Sequence, residues 1–139
     1  MRIDLHFPNV VAPKTTHHSK KIVRRGKFPG LADTDKLIAA KDSWDALLLP
    51  VRPKEPLRGA TSIEVEVTWP WLKAATKRER AVGLNHHTSK PDLDNFAKTL
   101  IDRLVACGYM ENDQQVFCSL FTKYWGDVPG VRITLETIG

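Results

Sequence analysis

The feature that most constrains the fold is an amphipathic stretch that follows Pro91. Apolar residues recur there at the i, i+3, i+4 and i+7 spacing of a helix with one face on a core. These residues are Leu93, Phe96, Ala97, Leu100, Ile101, Leu104 and Val105. Pro91 is tolerated only at a helix start, and Gly108 supplies the expected stop. The sequence therefore predicts a helix from about Asp92 to Cys107, with Asp92 at the N-cap or in the first turn.

Charged side chains form a row on the shoulder of this predicted helix. Asp94, Lys98 and Asp102 are each four residues apart, so a helix places them one above the other. Asp92 is close to Asp94 in sequence, and Asp113 follows in the connection after the helix. Taken singly, these residues are accounted for by a helix cap, an i, i+4 ion pair and a turn.

The same residues also have the chemistry of a phosphodiester-cleaving site. Carboxylates hold Mg²⁺, which activates water and stabilises the charge that develops on phosphate, and a nearby lysine adds fixed positive charge. For Asp92, Asp94 and Asp113 to converge, the chain must return along a helix about 24 Å long, or the sheet must position the helix end over the next strand. Spacing alone leaves that convergence open.

Periodicity elsewhere predicts a single α+β domain over residues 1–139. A helix capped near Thr34 should end before Pro50, and the basic stretch from Pro8 to Asp33 is predicted to be a long loop. Gly83 to Ser89 is predicted to be a second loop. Alternating apolar residues predict four strands, the last two as an antiparallel hairpin. The strands cover residues 3–7, 63–69, 116–124 and 131–135. Two main helices should therefore pack on a mixed sheet of about four strands.

Positive charge is concentrated ahead of the acidic stretch. The net charge is +5 and the pI about 9.4, which suits a polyanionic partner. Between Ala12 and Gly30 the chain has six Lys or Arg residues and no acidic one, and a second basic run spans Lys73 to Arg80. These runs are either solvated loops or a surface that contacts phosphate.

The sequence has no feature of export or membrane insertion. No apolar run approaches the length of a membrane span, and the N-terminus lacks the apolar segment of a signal peptide. Cys107 and Cys118 are too few for a disulfide framework. A cytoplasmic protein with reduced cysteines is expected.

Three motifs together resemble the RusA family of Holliday-junction resolvases. They are Lys90-Pro91-Asp92-Leu93-Asp94-Asn95 with Lys98, Asn112-Asp113-Gln114-Gln115-Val116, and Gly130-Val131-Arg132-Ile133. The resemblance extends over roughly residues 63–136 and implies a RusA-like fold. It also implies that Asp92, Asp94 and Asp113 bind Mg²⁺ and are catalytic, with Mn²⁺ as an alternative metal, and that Lys98 is required for cleavage. Asn112 departs from the family pattern, which commonly has an acidic residue there.

The function expected from this resemblance is that of a Mg²⁺-dependent, structure-specific endodeoxyribonuclease. It would resolve four-way DNA junctions by paired symmetric nicks as a homodimer. A non-catalytic protein that binds branched DNA and a nuclease that acts on flaps are the alternatives. The aromatic residues Phe117, Phe121 and Trp125 of the predicted hairpin belong either to the dimer interface or to the core. The candidate DNA-contacting residues are Lys20, Lys21, Arg24, Arg25, Lys27, His86, His87 and Lys90.

Four of the five histidines form the adjacent pairs His17-His18 and His86-His87. Zn²⁺ binding together with the cysteines is an alternative, but adjacent side chains point in different directions and no pair has zinc-finger spacing. The second pair immediately precedes the acidic motif. That position favours contact with DNA or ordering of the loop.

Overall fold

The structure, a computed structural model, describes residues 1–15, 20–25 and 28–138, which form three α-helices, a mixed sheet and a separate two-stranded ribbon. The strands are β1 (Arg2–Pro8), β2 (Lys20–Arg25), β3 (Phe28–Asp33), β4 (Thr61–Pro70), β5 (Leu84–His86), β6 (Val116–Gly126) and β7 (Gly130–Thr137). The helices are α1 (Asp35–Leu48), α2 (Lys77–Ala81) and α3 (Leu93–Ala106). The main sheet has the order β1-β7-β4-β6-β5. The predicted α+β class is confirmed.

Strand β4 is the centre of the sheet. It pairs with β7 in antiparallel and with β6 in parallel orientation. Ile63, Val65, Val67 and Trp69 are buried in the core, while Glu64 and Glu66 on the opposite face are exposed. This alternation is the one that the sequence predicts for a half-buried strand.

Three expectations about the number and pairing of the strands are wrong. The main sheet has five strands because Leu84–His86, within the predicted loop, pairs with the end of β6. Strands β6 and β7 do not form a hairpin, because β4 lies between them. The predicted loop from Pro8 to Asp33 contains the β2–β3 ribbon. Alternation specifies which face of a strand is buried, but it does not specify which strand lies beside it.

Helices α1 and α3 cover one face of the sheet. The Thr34 hydroxyl caps α1 by accepting a hydrogen bond from the Leu37 amide at 3.2 Å. Arg103 of α3 donates two hydrogen bonds of 2.9 Å to the Asp45 carboxylate of α1, which fixes the two helices side by side. Across the described ranges, no helix has the length and apolar character needed to cross a membrane.

Candidate functional site

The N-terminal end of α3 carries two exposed carboxylates. Asp92 is the N-cap residue and Asp94 lies in the first turn, as the sequence predicts. The Asp92 carboxylate accepts a hydrogen bond of 3.4 Å from the side-chain Nδ2 of Asn95. Lys98 is exposed one turn further along the helix. The positive end of the helix dipole favours negative charge at this position, so both carboxylates are compatible with the helix and open to a ligand.

Asp113 lies at the other end of α3, on the 3₁₀ turn that immediately precedes β6. From Asp94 to Ala106 the helix axis extends about 18 Å. Phe121 lines the same surface depression as Asp94, and β6 covers about 16 Å between Val116 and Phe121. The length of the helix and the length of the strand both place Asp113 far from Asp94 within one chain. Accordingly, the described part of the chain contains no cluster of three acidic, histidine or cysteine side chains that could hold a metal.

Gln115 fixes the turn that carries Asp113. Its Oε1 accepts hydrogen bonds from the amides of Glu111 and Asn112 at 2.9 and 3.2 Å. Its Nε2 donates to the carbonyl oxygen of Leu57 at 2.9 Å and to Thr61 Oγ1 at 3.0 Å. The Gln115 amide therefore docks the turn on the segment that precedes β4. These hydrogen bonds hold Asp113 at the end of α3 that is opposite to Asp94.

Lys123 of β6 contacts the loop that precedes Asp92. Its ammonium donates hydrogen bonds to the carbonyl oxygens of Ser89 at 2.6 Å and Pro91 at 2.7 Å. Burial lowers the pKa of Lys123, and the negative charge of Asp92 opposes that shift. Reasoning from sequence missed this residue, although alternation along β6 offers a signal: Lys123 falls on the same face as the packed Phe121 and Trp125.

The structure corrects the prediction that His87 contacts DNA, because its side chain is only 4% exposed. The imidazole stacks on Trp125 with ring centroids 3.8 Å apart, and its Nδ1 accepts a hydrogen bond of 3.1 Å from the Ser89 amide. His87 thus orders the loop, which was the alternative expectation. Its Nε2 is buried and has no hydrogen-bond partner among the described residues. His86 is exposed and stacks on Tyr124.

A pH-dependent loss of stability should follow from His87. Burial, with the nearby charges of Lys123 and Lys14, lowers the pKa of His87 from 6.5 to about 4. Between these values the unfolded chain binds a proton that the folded chain excludes, so stability falls as the pH decreases through this window, by on the order of 3 kcal/mol. Above pH 6.5 the effect is absent because both states are neutral.

The measurement is thermal unfolding between pH 7 and pH 4.5. His87→Phe preserves the ring stack but removes the acceptor of the Ser89 amide, so its melting temperature at pH 7 should be lower than that of the wild type. Because phenylalanine does not titrate, this melting temperature should change less on acidification. His6→Phe on the exposed edge strand β1 is the matched control. Parallel profiles for the wild type and His87→Phe would contradict a neutral buried histidine.

The other predicted DNA-contacting residues lie on two segments. Lys20, Lys21, Arg24 and Arg25 belong to β2, where Lys21 is exposed and lies 3.8 Å from the Asp35 carboxylate. Lys90 is exposed in the loop immediately before Pro91. Lys27, and the His17-His18 pair of the zinc alternative, lie outside the described residues.

Comparison with known proteins agrees with the motifs at both ends of α3. The family model described as endodeoxyribonuclease RusA matches residues 11–136. A curated relative, the uncharacterized protein YqaN of Bacillus subtilis strain 168, is 32% identical over 92 residues, which are 63% of this chain. The match spans 64% of the relative's length, just under two thirds of it.

Proposed function

The chain belongs to the RusA family of endodeoxyribonucleases, enzymes that hydrolyse DNA, and on that premise we propose that it resolves four-way DNA junctions as a homodimer. Each copy would nick one strand, and the paired nicks would fall at symmetric positions. The reaction would depend on Mg²⁺, with Mn²⁺ as an alternative metal. The catalytic groups would be Asp92, Asp94, Lys98 and Asp113.

The observation that carries this proposal is the exposed pair Asp92 and Asp94 with Lys98 one turn away. Proteins bind Mg²⁺ through one or two carboxylates together with water and phosphate oxygens, so the donor set at this helix end fits the ion. Mg²⁺ bound there would supply an activated water and neutralise charge on the phosphate. A surface that only binds DNA gains nothing from carboxylates that face phosphate, which argues against the non-catalytic alternative.

The third carboxylate supports the homodimer. Because Asp113 is distant from Asp94 in its own chain, a second copy related by a twofold axis is the simplest source of an aspartate at the same site. A twofold axis beside the middle of β6 would pair two antiparallel copies of this strand. That arrangement brings Asp113 of the partner subunit toward the end of β6 over which α3 begins.

Strand β6 has the properties that such an interface requires. Among the described residues, β5 pairs only with Tyr124 to Gly126 of β6, so the edge from Val116 to Thr122 lacks a neighbour on that side. An unpaired edge presents free backbone donors and acceptors to another strand. Phe117 and Leu120 on this segment are 55% and 57% exposed. Phe121 and Trp125, in contrast, pack against the core.

Basic residues on two segments would contact the DNA backbone. From their positive charge in the sequence, we propose that Lys20, Lys21, Arg24, Arg25 and Lys27 contact the phosphates. His86 at the end of β5 and Lys90 in the following loop would contact DNA beside Asp92, because both are exposed on the segment that leads to it.

The test is cleavage of a synthetic mobile four-way junction with each strand labelled in turn. Without divalent metal the junction should stay intact, and Mg²⁺ or Mn²⁺ should give symmetric nicks in two strands of like polarity. A 5′ flap, a 3′ flap and a linear duplex of the same sequence serve as matched substrates. If a flap is cleaved faster than the junction, the flap is the preferred substrate and the junction-resolving function is wrong. If the protein binds the junction tightly but cleaves it with neither metal, the non-catalytic alternative is supported.

Lys98 is predicted to act in turnover more than in binding. Lys98→Ala removes a fixed positive charge from the site where negative charge develops on phosphate, so the single-turnover rate should fall by ~10²-fold or more. The junction dissociation constant should change less than threefold. Lys36→Ala on the exposed side of α1 is the control. Equal losses in rate and affinity would instead make Lys98 an ordinary phosphate contact.

A further inference from the structure

Lys123 is a charged residue on the packed face of β6. Its neighbours on that face, Phe121 and Trp125, contact the hydrophobic core. The Lys123 ammonium nevertheless lies on this face, and burial lowers its pKa. Desolvation of an ammonium is unfavourable unless hydrogen bonds compensate it, so an apolar residue would fill this position at a lower cost. The contacts of the charged group therefore indicate what the lysine does.

Those contacts converge on the five residues that precede Asp92. The ammonium donates to the carbonyl oxygens of Ser89 and Pro91, and the Lys123 backbone carbonyl accepts a hydrogen bond of 3.1 Å from the His87 amide. The Ser89 amide in turn donates to His87 Nδ1. One residue of β6 thus holds the loop at its beginning and at its end. Asp92, the N-cap of α3, is the residue immediately after the last of these contacts.

We propose that Lys123 is a positioning residue for the acidic site, because it holds Asp92 at a fixed height above β6. This inference rests on the proposed nuclease function. An ammonium has three donor hydrogens, and two of them are used by loop carbonyls. The charge that acts on phosphate is then left to the exposed Lys98. Lys123 would act on the rate through the loop and would make no contact with DNA.

The experiment compares Lys123→Met with Lys123→Arg. Methionine keeps an unbranched chain and removes the donors, while arginine retains charge and can donate to both carbonyls. Lys54→Met, at an exposed lysine remote from the site, is the matched control. Each variant is measured for junction affinity, for single-turnover cleavage over a Mg²⁺ titration, and for amide hydrogen exchange of the loop without DNA or metal.

In Lys123→Met, the backbone amides of Thr88, Ser89, Lys90 and Asp92 should exchange at least tenfold faster than in the wild type, while the strands of the sheet keep their protection. Its cleavage rate should fall ten- to a hundredfold, with a higher Mg²⁺ requirement and unchanged junction affinity. Lys123→Arg should recover most of both losses. Hydrogen exchange reports on the loop even if the wild type cuts no junction, so a failure of the proposed function stays distinguishable from a failure of this inference.

Two results would overturn the inference. Unchanged exchange in the loop would show that Lys123 does not hold it, and equal losses of affinity and rate would make Lys123 a DNA contact. If Lys123→Met does not fold, Lys123→Arg decides, because it removes neither charge nor donors. Wild-type exchange and cleavage in this variant support the inference, and loss of cleavage with wild-type exchange contradicts it.

Discussion

Replacement of Asp92, Asp94 or Asp113 by asparagine is expected to abolish nicking of a four-way junction, with a loss of at least ~10³-fold in the single-turnover rate. Each change removes one negative charge from a set that would hold Mg²⁺ against the scissile phosphate, and the amide is a weaker ligand for a hard cation. Affinity for the junction should stay the same or increase, because less negative charge then faces the phosphates. Single-turnover cleavage and gel-shift titration on the same labelled junction measure both quantities.

Asp42→Asn on α1 is the matched control, because this carboxylate is exposed and lies on the other helix. It should cleave at the wild-type rate. Melting temperatures of all variants should be close to that of the wild type, because the three aspartates are exposed and bury no apolar surface. A wild-type rate in any one of the three variants would remove that residue from the site.

Mixing two inactive variants should restore nicking if the acidic site is shared between chains. In a heterodimer of Asp94→Asn and Asp113→Asn, one site receives both asparagines. The other site combines Asp94 of one chain with Asp113 of the partner subunit and is intact. The mixture should therefore nick one strand of each junction and leave the junction unresolved, at a rate far above that of either variant alone. Denaturing gels detect the nicks, and native gels detect resolution.

The alternative geometry gives the opposite outcome. If each site is built from one chain, both sites of this heterodimer contain an asparagine and the mixture stays inactive. Mixing Asp92→Asn with Asp94→Asn is the control, because these residues share a helix end and cannot complement one another in either geometry. Full resolution by the first mixture would contradict the shared site, since only one intact site forms per heterodimer.

Much of the region around α3 could be predicted from sequence. Pro91, Gly108 and the apolar period gave a helix from about Asp92 to Cys107, and the observed helix is Leu93–Ala106 with Asp92 as its N-cap. These signals are local, because a proline, a glycine and the helical period act within a few residues of where they occur. The buried alternation of β4 was predictable for the same reason.

Features that depend on distant parts of the chain were not predictable in the same way. The position of Asp113 follows from the hydrogen bonds between Gln115 and the segment before β4, more than 50 residues earlier in the chain. His87 next to His86 had the pattern of an exposed basic pair, but Trp69 and Trp125 enclose its ring. No local pattern distinguishes a histidine that stacks in the core from one that faces solvent.

The placement of aspartates at opposite ends of α3 bears on how such a nuclease is restrained in a cell. If the three aspartates bind the metal, a lone copy with Asp92 and Asp94 at one end of α3 and Asp113 at the other would have an incomplete set of ligands. Below the concentration at which copies associate, the cleavage rate would then rise with the square of the protein concentration. Single copies bound to intact duplex DNA would then not cut it, and cleavage would begin only where two copies bind the same branch point.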